Sequence, residues 1–284
     1  MPKLAVIGHP VSHSRSPAMH NAALRELGLG DEWEYRAIDV GEAEFGDRVK
    51  ALASEGYAGA NVTVPHKIAA LEIADEASSA AREIGAANTL CFREGRILAE
   101  NTDGDGLLDA LPSSPAGACT LVMGAGGSAR AVVWALVRAG AEVQVWNRTE
   151  SKARALAHEL GANLAVVDHE TAATNSGSFE LFVNCTTVGM TEASTGVDTA
   201  HDTVSPLKAL PVAADALVRG KTVVDLVYGT HETQLISTAR RGGADVVDGL
   251  EVLVRQGARS LRLWTGLEPP IDVMRREARG ASRI

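Results

Sequence analysis

The first hundred residues alternate short apolar runs with amphipathic stretches. Short apolar runs predict strands, and the amphipathic stretches that follow them predict helices. The strand and helix pairs are 3–7 with 17–29, 34–40 with 42–55, and 60–64 with 67–77. This alternation is typical of βαβ units, so the first part of the chain is predicted to be an α/β domain with a mostly parallel sheet.

A hairpin and a domain boundary follow. Residues 89–92 and 96–99, separated by Arg93-Glu94-Gly95, predict two antiparallel strands. A short helix is expected over 104–111, and the turn-forming segment 111–117 (LPSSPAG) then marks a boundary.

A second alternating series begins beyond that boundary. The expected strands are 119–123, 142–146, 164–167, 181–184, 222–227 and 245–247, with a helix over 128–139. The pattern becomes helical from 249 to 264, and Pro269-Pro270 interrupts it before a last polar helix. The sequence therefore predicts two α/β domains.

Composition narrows the choice of partners. The chain has 284 residues, of which 45% are hydrophobic, and a formal net charge of −9. That charge disfavours binding to nucleic acid or to an anionic membrane. Cys91, Cys119 and Cys185 are far apart and adjoin apolar stretches, so we expect buried, reduced thiols. No apolar run has the length of a signal peptide or a membrane span, and the expected location is the cytoplasm.

A glycine-rich turn joins the first strand of the second series to its helix. It reads Gly124-Ala125-Gly126-Gly127-Ser128-Ala129, with alanine in place of the last glycine of the dinucleotide-binding pattern. The first glycine allows a tight turn, the second lets backbone approach a pyrophosphate, and the helix N-terminus presents N–H groups. The motif predicts a Rossmann-type dinucleotide site, and a glycine turn without a ligand is the alternative.

The end of the next strand selects the nucleotide. A carboxylate about 20 residues after the first glycine would bond the ribose hydroxyls of NAD and repel a 2′-phosphate. This chain has Asn147-Arg148-Thr149 there, with Lys152 one turn further on. A guanidinium stacks and binds phosphate, so these residues predict NADP. Alternatively, Thr149 caps a helix while Arg148 and Lys152 are solvated.

Two serines precede the first helix. Ser14 and Ser16 lie just before a helix with Pro17 in its first turn, where hydroxyls and amides can hold a carboxylate. Taken alone, Ser16 also fits a simple N-cap.

A lysine begins the helix after the third strand. The run Asn61-Val62-Thr63-Val64-Pro65-His66-Lys67 places Asn61 and Thr63 on one face of a strand end, with Lys67 at the helix start. An isolated lysine there is surface charge, whereas a lysine enclosed in a cleft can exchange a proton with a substrate. Two loops add an amide, Asn88, and a carboxylate, Asp103. The carboxylate of Asp103 equally fits the N-cap of a helix that begins at 104.

Four histidines in the same half lack the spacing of metal ligands. They are His9, His13, His20 and His66, and none forms a pattern such as HExxH. A metal enzyme is therefore disfavoured, and we expect these histidines to make hydrogen bonds in loops.

Seven segments recur in the order of a known family. They are HSRSPAMHN, NVTVPHK, GAANTL, NTDG, GAGGSAR, NRTESKA and DGLEVLVRQ. Together they span nearly the whole chain, which resembles the shikimate dehydrogenase family, NADP-dependent enzymes that reduce 3-dehydroshikimate to shikimate on the route to chorismate and aromatic amino acids. The resemblance implies an oxidoreductase with the same activity.

The resemblance also implies a role for individual residues. Lys67 would be the catalytic acid and base, partnered by Asp103, and both would contact substrate. The substrate carboxylate would bind Ser14 and Ser16. The ring hydroxyls would be held by Thr63, Asn88, Asp103, Tyr228 and Gln256, with Asn61 supporting the site. The cofactor would contact Gly124, Ala125, Gly126, Gly127, Ser128, Ala129, Asn147, Arg148, Thr149, Lys152, Thr186, Leu226 and Gly249.

Three departures from the family pattern are modest. The loop 184–190 (NCTTVGM) replaces a more usual alanine-threonine-serine run, Leu226 stands where many relatives carry methionine, and Lys152 stands where arginine is common. Lysine keeps the charge but lacks the planar fork, so the 2′-phosphate would be held somewhat more weakly.

The resemblance further implies a discontinuous domain organisation. A substrate domain would comprise residues 1–103, completed by C-terminal helices in 250–284, and an NADP-binding Rossmann domain would comprise 104–249. The partner would be a small molecule, with neither nucleic acid nor membrane, and a homodimer is left open. Two rival functions are a quinate/shikimate dehydrogenase that prefers NAD and a nucleotide-binding regulatory protein without catalysis.

Overall fold

The computed structural model describes residues 2–161, 164–190, 206–229 and 231–280. The chain divides into two units, the first comprising Met1–Gly106 with Leu253–Ile284 and the second Leu107–Val252. Each unit has one six-stranded sheet with helices, which confirms the α/β prediction. No described helix has both the length and the apolar character needed to cross a bilayer.

The sheet of the first unit is mixed. Its strands are β1 (Lys3–Gly8), β2 (Glu34–Asp39), β3 (Tyr57–Val62), β4 (Glu76–Ala77), β5 (Thr89–Arg93) and β6 (Arg96–Glu100). They lie in the order β2-β1-β3-β5-β6-β4. β1 pairs in parallel with β2 and β3, and β4 pairs in parallel with β6, whereas β5 is antiparallel to both of its neighbours.

The α-helices of the described residues are numbered in chain order. They are α1 (Ser16–Glu26), α2 (Phe45–Ser54), α3 (Lys67–Glu72), α4 (Ser79–Ile84), α5 (Asp103–Ala110), α6 (Gly127–Arg138), α7 (Glu150–Leu160), α8 (His169–Thr174), α9 (Gln234–Gly242), α10 (Gly249–Thr265) and α11 (Ile271–Ala278).

The sheet of the second unit is wholly parallel. Its strands are β7 (Cys119–Met123), β8 (Glu142–Trp146), β9 (Ala165–Val166), β10 (Leu181–Asn184), β11 (Thr222–Asp225) and β12 (Asp245–Val247), in the order β12-β11-β10-β7-β8-β9. This is the doubly wound order of a Rossmann fold, which reverses between β7 and β10. Ligands of such sheets bind at the carboxyl ends of the strands beside the reversal.

The strands of the second unit are buried on both faces. Val122 packs in one hydrophobic cluster with residues of α6, whereas its neighbours Leu121 and Met123 pack in a second cluster with Phe179 and Phe182. Successive side chains of a strand point to opposite faces, so a strand covered on both sides is a continuous apolar run. That is why β7 appears in the sequence as an unbroken hydrophobic segment.

The predicted hairpin is confirmed. β5 and β6 pair antiparallel from Thr89 with Glu100 to Arg93 with Arg96, which leaves a two-residue turn. Glu94 and Gly95 in that turn have φ angles of 52° and 75°. Positive φ at both central residues gives the turn the twist that a tight hairpin needs.

The helix predicted over 67–77 is shorter than expected. α3 ends at Glu72, and Glu76–Ala77 forms β4 beside β6. Asp75 fixes this change, because its N–H donates to Ile97 O at 2.8 Å and its Oδ2 accepts from Ile97 N at 2.7 Å. Pairing with a distant strand therefore ends the helix. The following helix, α4, was not predicted; Ser78 caps it, and it ends at Gly85 with φ 72°.

The cysteines are only partly as expected. All three are free, but Cys91 alone is buried, and Cys119 and Cys185 are partly exposed. Burial raises the pKa of the Cys91 thiol to about 11, which keeps it protonated and unreactive.

Candidate active site

A lysine and an aspartate form an enclosed ion pair in the first unit. Lys67 is the first residue of α3, and Asp103 is the first residue of α5. Lys67 Nζ lies 2.5 Å from Asp103 Oδ2, and the two side chains are only 10% and 14% exposed. A lysine held this way can donate a proton from a position that its counter-ion sets. The alternative of a solvated surface lysine is wrong.

The second oxygen of that carboxylate is held by an amide. Asn88 Nδ2 donates to Asp103 Oδ1 at 2.8 Å, and it also lies 3.1 Å from Gln256 Oε1. Asp103 therefore bonds Lys67 with one oxygen and Asn88 with the other, which fixes the plane of the carboxylate. The N-cap interpretation of Asp103 is wrong, because Thr102 is the residue that precedes α5.

Gln256 comes close because a glycine faces it. A Cβ atom on Gly106 would lie 2.7 Å from both the backbone nitrogen and the Cβ of Gln256. Real Cβ atoms essentially never make such short contacts, so only glycine lets α5 approach α10 this closely. A carboxamide more than 150 residues away along the chain is thereby placed beside Asn88.

A buried hydroxyl network lies next to these groups. At its centre is Ser260 Oγ, which is 2.8 Å from Thr89 Oγ1 and 3.1 Å from Thr102 Oγ1. Asn61 Nδ2 donates to the same Ser260 oxygen at 2.9 Å, and Tyr35 donates to Asn61 Oδ1 at 2.7 Å. Buried polar atoms that satisfy one another define a single arrangement. Asn61 thus supports its neighbours through internal bonds.

The two N-terminal serines lie at the start of α1. Ser16 is its first residue and is 3% exposed, and the N-cap position belongs to Arg15, which makes no side-chain cap. The N-cap interpretation of Ser16 is therefore wrong. Ser14 Oγ accepts from Ser16 N at 3.2 Å. Thr63 follows β3 and is partly buried.

The glycine turn of the second unit lies at the reversal of strand order. Gly124 has φ 121°, and a Cβ there would lie 3.0 Å from the carbonyl carbon of Cys185. A Cβ on Gly126 would meet nothing within 4 Å, and Gly126 precedes α6 without any side-chain cap. The start of α6 therefore has a glycine at its N-cap with open space beside it, which fits an anionic pyrophosphate. The remaining residues of the motif, Ala125, Gly127, Ser128 and Ala129, continue from this turn into α6.

The end of β8 presents exposed cations. Asn147 Nδ2 donates to Thr149 O at 2.8 Å, and Arg148, Thr149 and Lys152 are exposed. Thr149 occupies the N-cap position of α7, as the alternative expects, although its side chain makes no cap bond. Glu150, the residue after Thr149 in the chain, is paired with Arg154. This arrangement fits a 2′-phosphate better than a free ribose hydroxyl.

Two further loops lie at the carboxyl edge of the same sheet. Thr186 Oγ1 donates to Asn184 Oδ1 at 2.7 Å, and Leu226 N donates to Asn184 O at 2.9 Å. A Cβ on Gly249 would lie 2.6 Å from Leu226 O, so a glycine is required at the start of α10. Tyr228, in the same segment as Leu226, is partly buried.

Family models and sequence relatives both match this chain to shikimate dehydrogenases. Family models match residues 6–90 (shikimate dehydrogenase substrate binding domain), 110–191 (shikimate / quinate 5-dehydrogenase) and 249–279 (shikimate 5'-dehydrogenase C-terminal domain). The chain is 41% identical over 283 residues to the NADP(+) shikimate dehydrogenase of Thermus thermophilus, covering 99% of each. The chain belongs to the shikimate dehydrogenase family.

Solved structures of the family superpose on the whole chain. The shikimate 5-dehydrogenase of Thermus thermophilus, in complex with NADP(H) and shikimate, has a TM-score of 0.84 at 40% identity, covering 98% of this chain and 99% of that one. Quinate dehydrogenase from Corynebacterium glutamicum, in complex with NAD, has a TM-score of 0.81 at 31% identity, covering 97% of this chain and 98% of that one. Both specificities occur on this fold, so the site must distinguish them.

Two buried polar residues of this chain were not predicted from the sequence. Ser260 lies four residues after Gln256, on the same face of α10, and helical spacing was the available signal. Asp225 is an acid inside an apolar segment predicted as a strand over 222–227; the strand ends at this residue. A carboxylate in such a segment was a signal of a buried polar group.

The histidines were expected to make hydrogen bonds in loops. Two of them do make hydrogen bonds, and His20 does not. His9 Nδ1 is 2.6 Å from Asp39 Oδ1, and His66 Nε2 is 2.7 Å from Val40 O. His20 instead lies fully buried in α1, and neither ring nitrogen has a hydrogen-bond partner among the described residues. Its ring stacks on Tyr35 at 4.2 Å, and burial lowers its pKa to about 3. Among the described residues, no cluster of three or more histidine, cysteine or acidic side chains could hold a metal ion.

Proposed function

We propose that the chain is an NADP-dependent shikimate dehydrogenase, an oxidoreductase that interconverts 3-dehydroshikimate and shikimate. The observation that carries this proposal is the enclosed pair of Lys67 and Asp103, with the amides of Asn88 and Gln256 beside it. A cyclic ketone that becomes an alcohol needs one proton at its oxygen and hydrogen bonds for its ring hydroxyls. These side chains supply both.

Lys67 is the proposed acid and base. It holds a proton at Nζ and delivers that proton to the C3 oxygen of 3-dehydroshikimate as the alcohol forms; in the reverse direction Nζ accepts it. Asp103 orients the ammonium and stabilises its charge. When bound, NADPH supplies the hydride. Because both side chains are largely enclosed, water competes little for this proton.

The remaining polar residues are proposed to position the substrate. Ser14 and Ser16 would hold its carboxylate at the start of α1, where backbone amides add to their hydroxyls. Thr63, Asn88, Tyr228 and Gln256 would bond the ring hydroxyls, as would Lys67 and Asp103, and Asn61 would support them. We assign substrate binding to 1–103 with 250–284, and cofactor binding to 104–249.

The second unit is proposed to hold NADP. The pyrophosphate would lie on the turn Gly124-Ala125-Gly126-Gly127-Ser128-Ala129, and the 2′-phosphate would lie on Arg148 and Lys152 with Asn147 and Thr149. Thr186, Leu226 and Gly249 would contact the nicotinamide side. The glycine N-cap of α6, with open space beside it, and the pairing of Glu150 with Arg154 support this placement.

An absorbance assay tests the proposal directly. Purified protein is given shikimate or quinate with NADP or NAD, and reduction is followed at the nicotinamide absorbance. We expect shikimate with NADP to give the highest kcat/KM. Tight NADPH binding without oxidation of shikimate would instead identify a regulatory protein, and it would contradict the enzymatic proposal.

An NAD-linked quinate/shikimate dehydrogenase is the second candidate, because the Corynebacterium glutamicum enzyme shares this fold. Such enzymes usually carry threonine at the second serine position and an acid at the end of the second strand of the nucleotide domain. Here those places hold Ser16 and Asn147-Arg148-Thr149. Higher kcat/KM for quinate with NAD would favour this candidate.

Arg148→Ala tests the preference for NADP. Because a charge-assisted contact to the 2′-phosphate is lost, the Kd for NADP should rise about tenfold or more, while the Kd for NAD, which lacks that phosphate, should change less than about twofold. Isothermal titration with both nucleotides measures the two values.

Arg219→Ala is the matched control for that experiment. Arg219 is an exposed arginine that precedes β11, at the opposite end of the strand from the proposed cofactor site, and its removal should leave the affinity for NADP within about twofold. An equal loss of NADP and NAD affinity in Arg148→Ala would contradict the assignment of the 2′-phosphate to this residue.

We further propose a cytoplasmic location, which the free thiols of all three cysteines support. The proposed partner is a small molecule. A homodimer stays a prediction, which sedimentation velocity tests.

A further inference from the structure

Asp225 is a buried acid that the proposed chemistry does not use. It is the last residue of β11 and is 0% exposed. Its hydrogen-bond donors in the described chain are uncharged: an amide side chain, a hydroxyl and a backbone N–H. Buried carboxylates are usually paired with a cation. The groups that Asp225 binds therefore indicate its role.

The carboxylate receives three donors from three different segments. Oδ1 accepts from Asn184 Nδ2 at 2.9 Å and from Val227 N at 3.0 Å. Oδ2 accepts from Thr233 Oγ1 at 2.6 Å. Asn184 ends β10, Val227 lies in the loop after β11, and Thr233 is the N-cap of α9. One side chain thus ties together three segments at the carboxyl edge of the parallel sheet.

Asn184 connects Asp225 to the rest of the loop 184–190 through further hydrogen bonds. Its Oδ1 accepts from both the backbone N–H and the hydroxyl of Thr186, at 3.0 and 2.7 Å. Its Nδ2 also donates to Val188 O at 3.2 Å, and Val188 N donates to Thr186 Oγ1 at 3.1 Å. The orientation of the Asn184 amide therefore sets the path of this loop, and Asp225 sets that orientation.

The other two donors control the neighbouring segments. The bond to Val227 N fixes the backbone between Leu226 and Tyr228, on which Gly249 packs. The bond from Thr233 restrains the cap of α9, and the methyl group of Thr233 would lie 3.3 Å from a Cβ on Gly189. The loop after β10 and the loop after β11 are thus both anchored on the same two oxygens.

An acceptor of this capacity is specific to a carboxylate. An asparagine of the same shape has one oxygen and one NH₂ group, so it cannot accept from all three donors at once. Burial raises the pKa of Asp225 to about 6 in spite of its hydrogen bonds. The ionised form at neutral pH therefore carries a desolvation cost, and an acid retained against such a cost is typical of functional positions.

We propose that Asp225 is a positioning residue for nucleotide binding, whose carboxylate holds the loops 184–190 and 226–228 in the arrangement that receives the nicotinamide half of the cofactor. This inference rests on the proposed function, because that function places Thr186 and Leu226 at the cofactor. As a positioning residue, Asp225 is proposed to contact neither substrate nor cofactor. It acts through Asn184, Val227 and Thr233.

Asp225→Asn tests the proposal by two measurements, NADPH binding without substrate and initial rates with shikimate. The expected result is a rise of about tenfold or more in the Kd for NADPH, measured by fluorescence titration, with KM for shikimate within about twofold of the native value. A thermal melt without cofactor should show only a small change in Tm, because removal of the buried charge offsets the hydrogen bond that asparagine cannot accept. A purely structural role would instead lower Tm and raise both constants together.

Two further variants keep the test decisive. Asp245→Asn, on the neighbouring strand β12, replaces an exposed acid and should leave the Kd for NADPH within about twofold. If Asp225→Asn does not fold, Thr233→Val removes the donor to Oδ2 together with the cap bond from Ile236 N, and a rise of about threefold or more in the Kd for NADPH is expected. Native affinity for NADPH in every folded variant would overturn the inference. If native protein binds NADPH but does not oxidise shikimate, the proposed function fails while the effect of Asp225 on NADPH affinity can still be measured.

Discussion

Lys67→Ala is expected to lose about 10² to 10⁴ of kcat for shikimate oxidation, while its KM for shikimate changes far less. The reason is that a positioned acid and base contributes in the transition state, when the proton moves, and much less to binding of the ground state. Initial rates at saturating NADP, with shikimate varied, separate kcat from KM. Turnover close to the native value would exclude Lys67 as the proton donor.

The controls for this experiment address charge and folding separately. Lys50→Ala removes an exposed lysine of α2 and should leave kcat unchanged. Removing Lys67 also leaves the enclosed carboxylate of Asp103 without its cation, which destabilises a folded protein. Lys67→Gln retains a neutral hydrogen-bond donor of similar length. If this variant folds and loses as much kcat as Lys67→Ala, the loss comes from the missing acid.

His20→Leu is expected to flatten the dependence of stability on pH in acid. Burial lowers the pKa of His20 to about 3 from the ordinary value of 6.5. Between those two pH values the unfolded chain binds a proton that the folded chain does not. The stability that His20 retains above pH 6.5 is therefore lost as pH falls toward 3, by about 1.4 kcal/mol per pH unit.

Denaturant titrations between pH 7 and pH 4 measure this effect. Native protein should lose roughly 3 kcal/mol more of its free energy of unfolding than His20→Leu over that interval. His158→Gln, which replaces an exposed histidine of α7, should follow the native curve. Parallel curves for native protein and His20→Leu would show that the buried ring takes up protons in the folded state.

Asp225 changes the free energy of unfolding with pH in the direction opposite to His20. Its pKa is raised from 3.8 to about 6, so the folded chain binds this proton before the unfolded chain does as pH falls. Its contribution to stability is full below pH 3.8 and is lost as pH rises through about 6. Comparing His20→Leu with the native protein cancels this term, because Asp225 is present in both.

Local sequence was sufficient where one segment supplies both structure and chemistry. The apolar run 119–123, the glycines that follow it and the helix from 127 are adjacent in the chain, so their pattern predicted the nucleotide turn. Likewise, Lys67 begins a helix where the sequence placed it. That Lys67 meets Asp103 was expected from the family resemblance alone, because nothing in the spacing of the two residues indicates contact.

The features that the sequence did not predict depend on contacts between distant segments. Asn61 and Ser260 are separated by 199 positions and share a hydrogen bond inside the first unit. The end of α3 is decided by Asp75 pairing with Ile97, and not by any breaker in the helix itself. His20 has the same sequence context as a solvent-facing histidine, and only the packing of Tyr35 and Trp264 around it shows that it is buried. Propensity and periodicity carry no information about such pairings.

The interrupted course of the first unit has a consequence for biosynthesis. Its residues 253–284 leave the ribosome only after the entire second unit, which is continuous from Leu107 to Val252. Until α10 emerges, Asn61 and Thr89 lack the Ser260 hydroxyl, and the face of the sheet that carries them stays hydrated. A nascent chain should therefore complete its nucleotide half first, and the proton-transferring half should mature only when the last helices arrive.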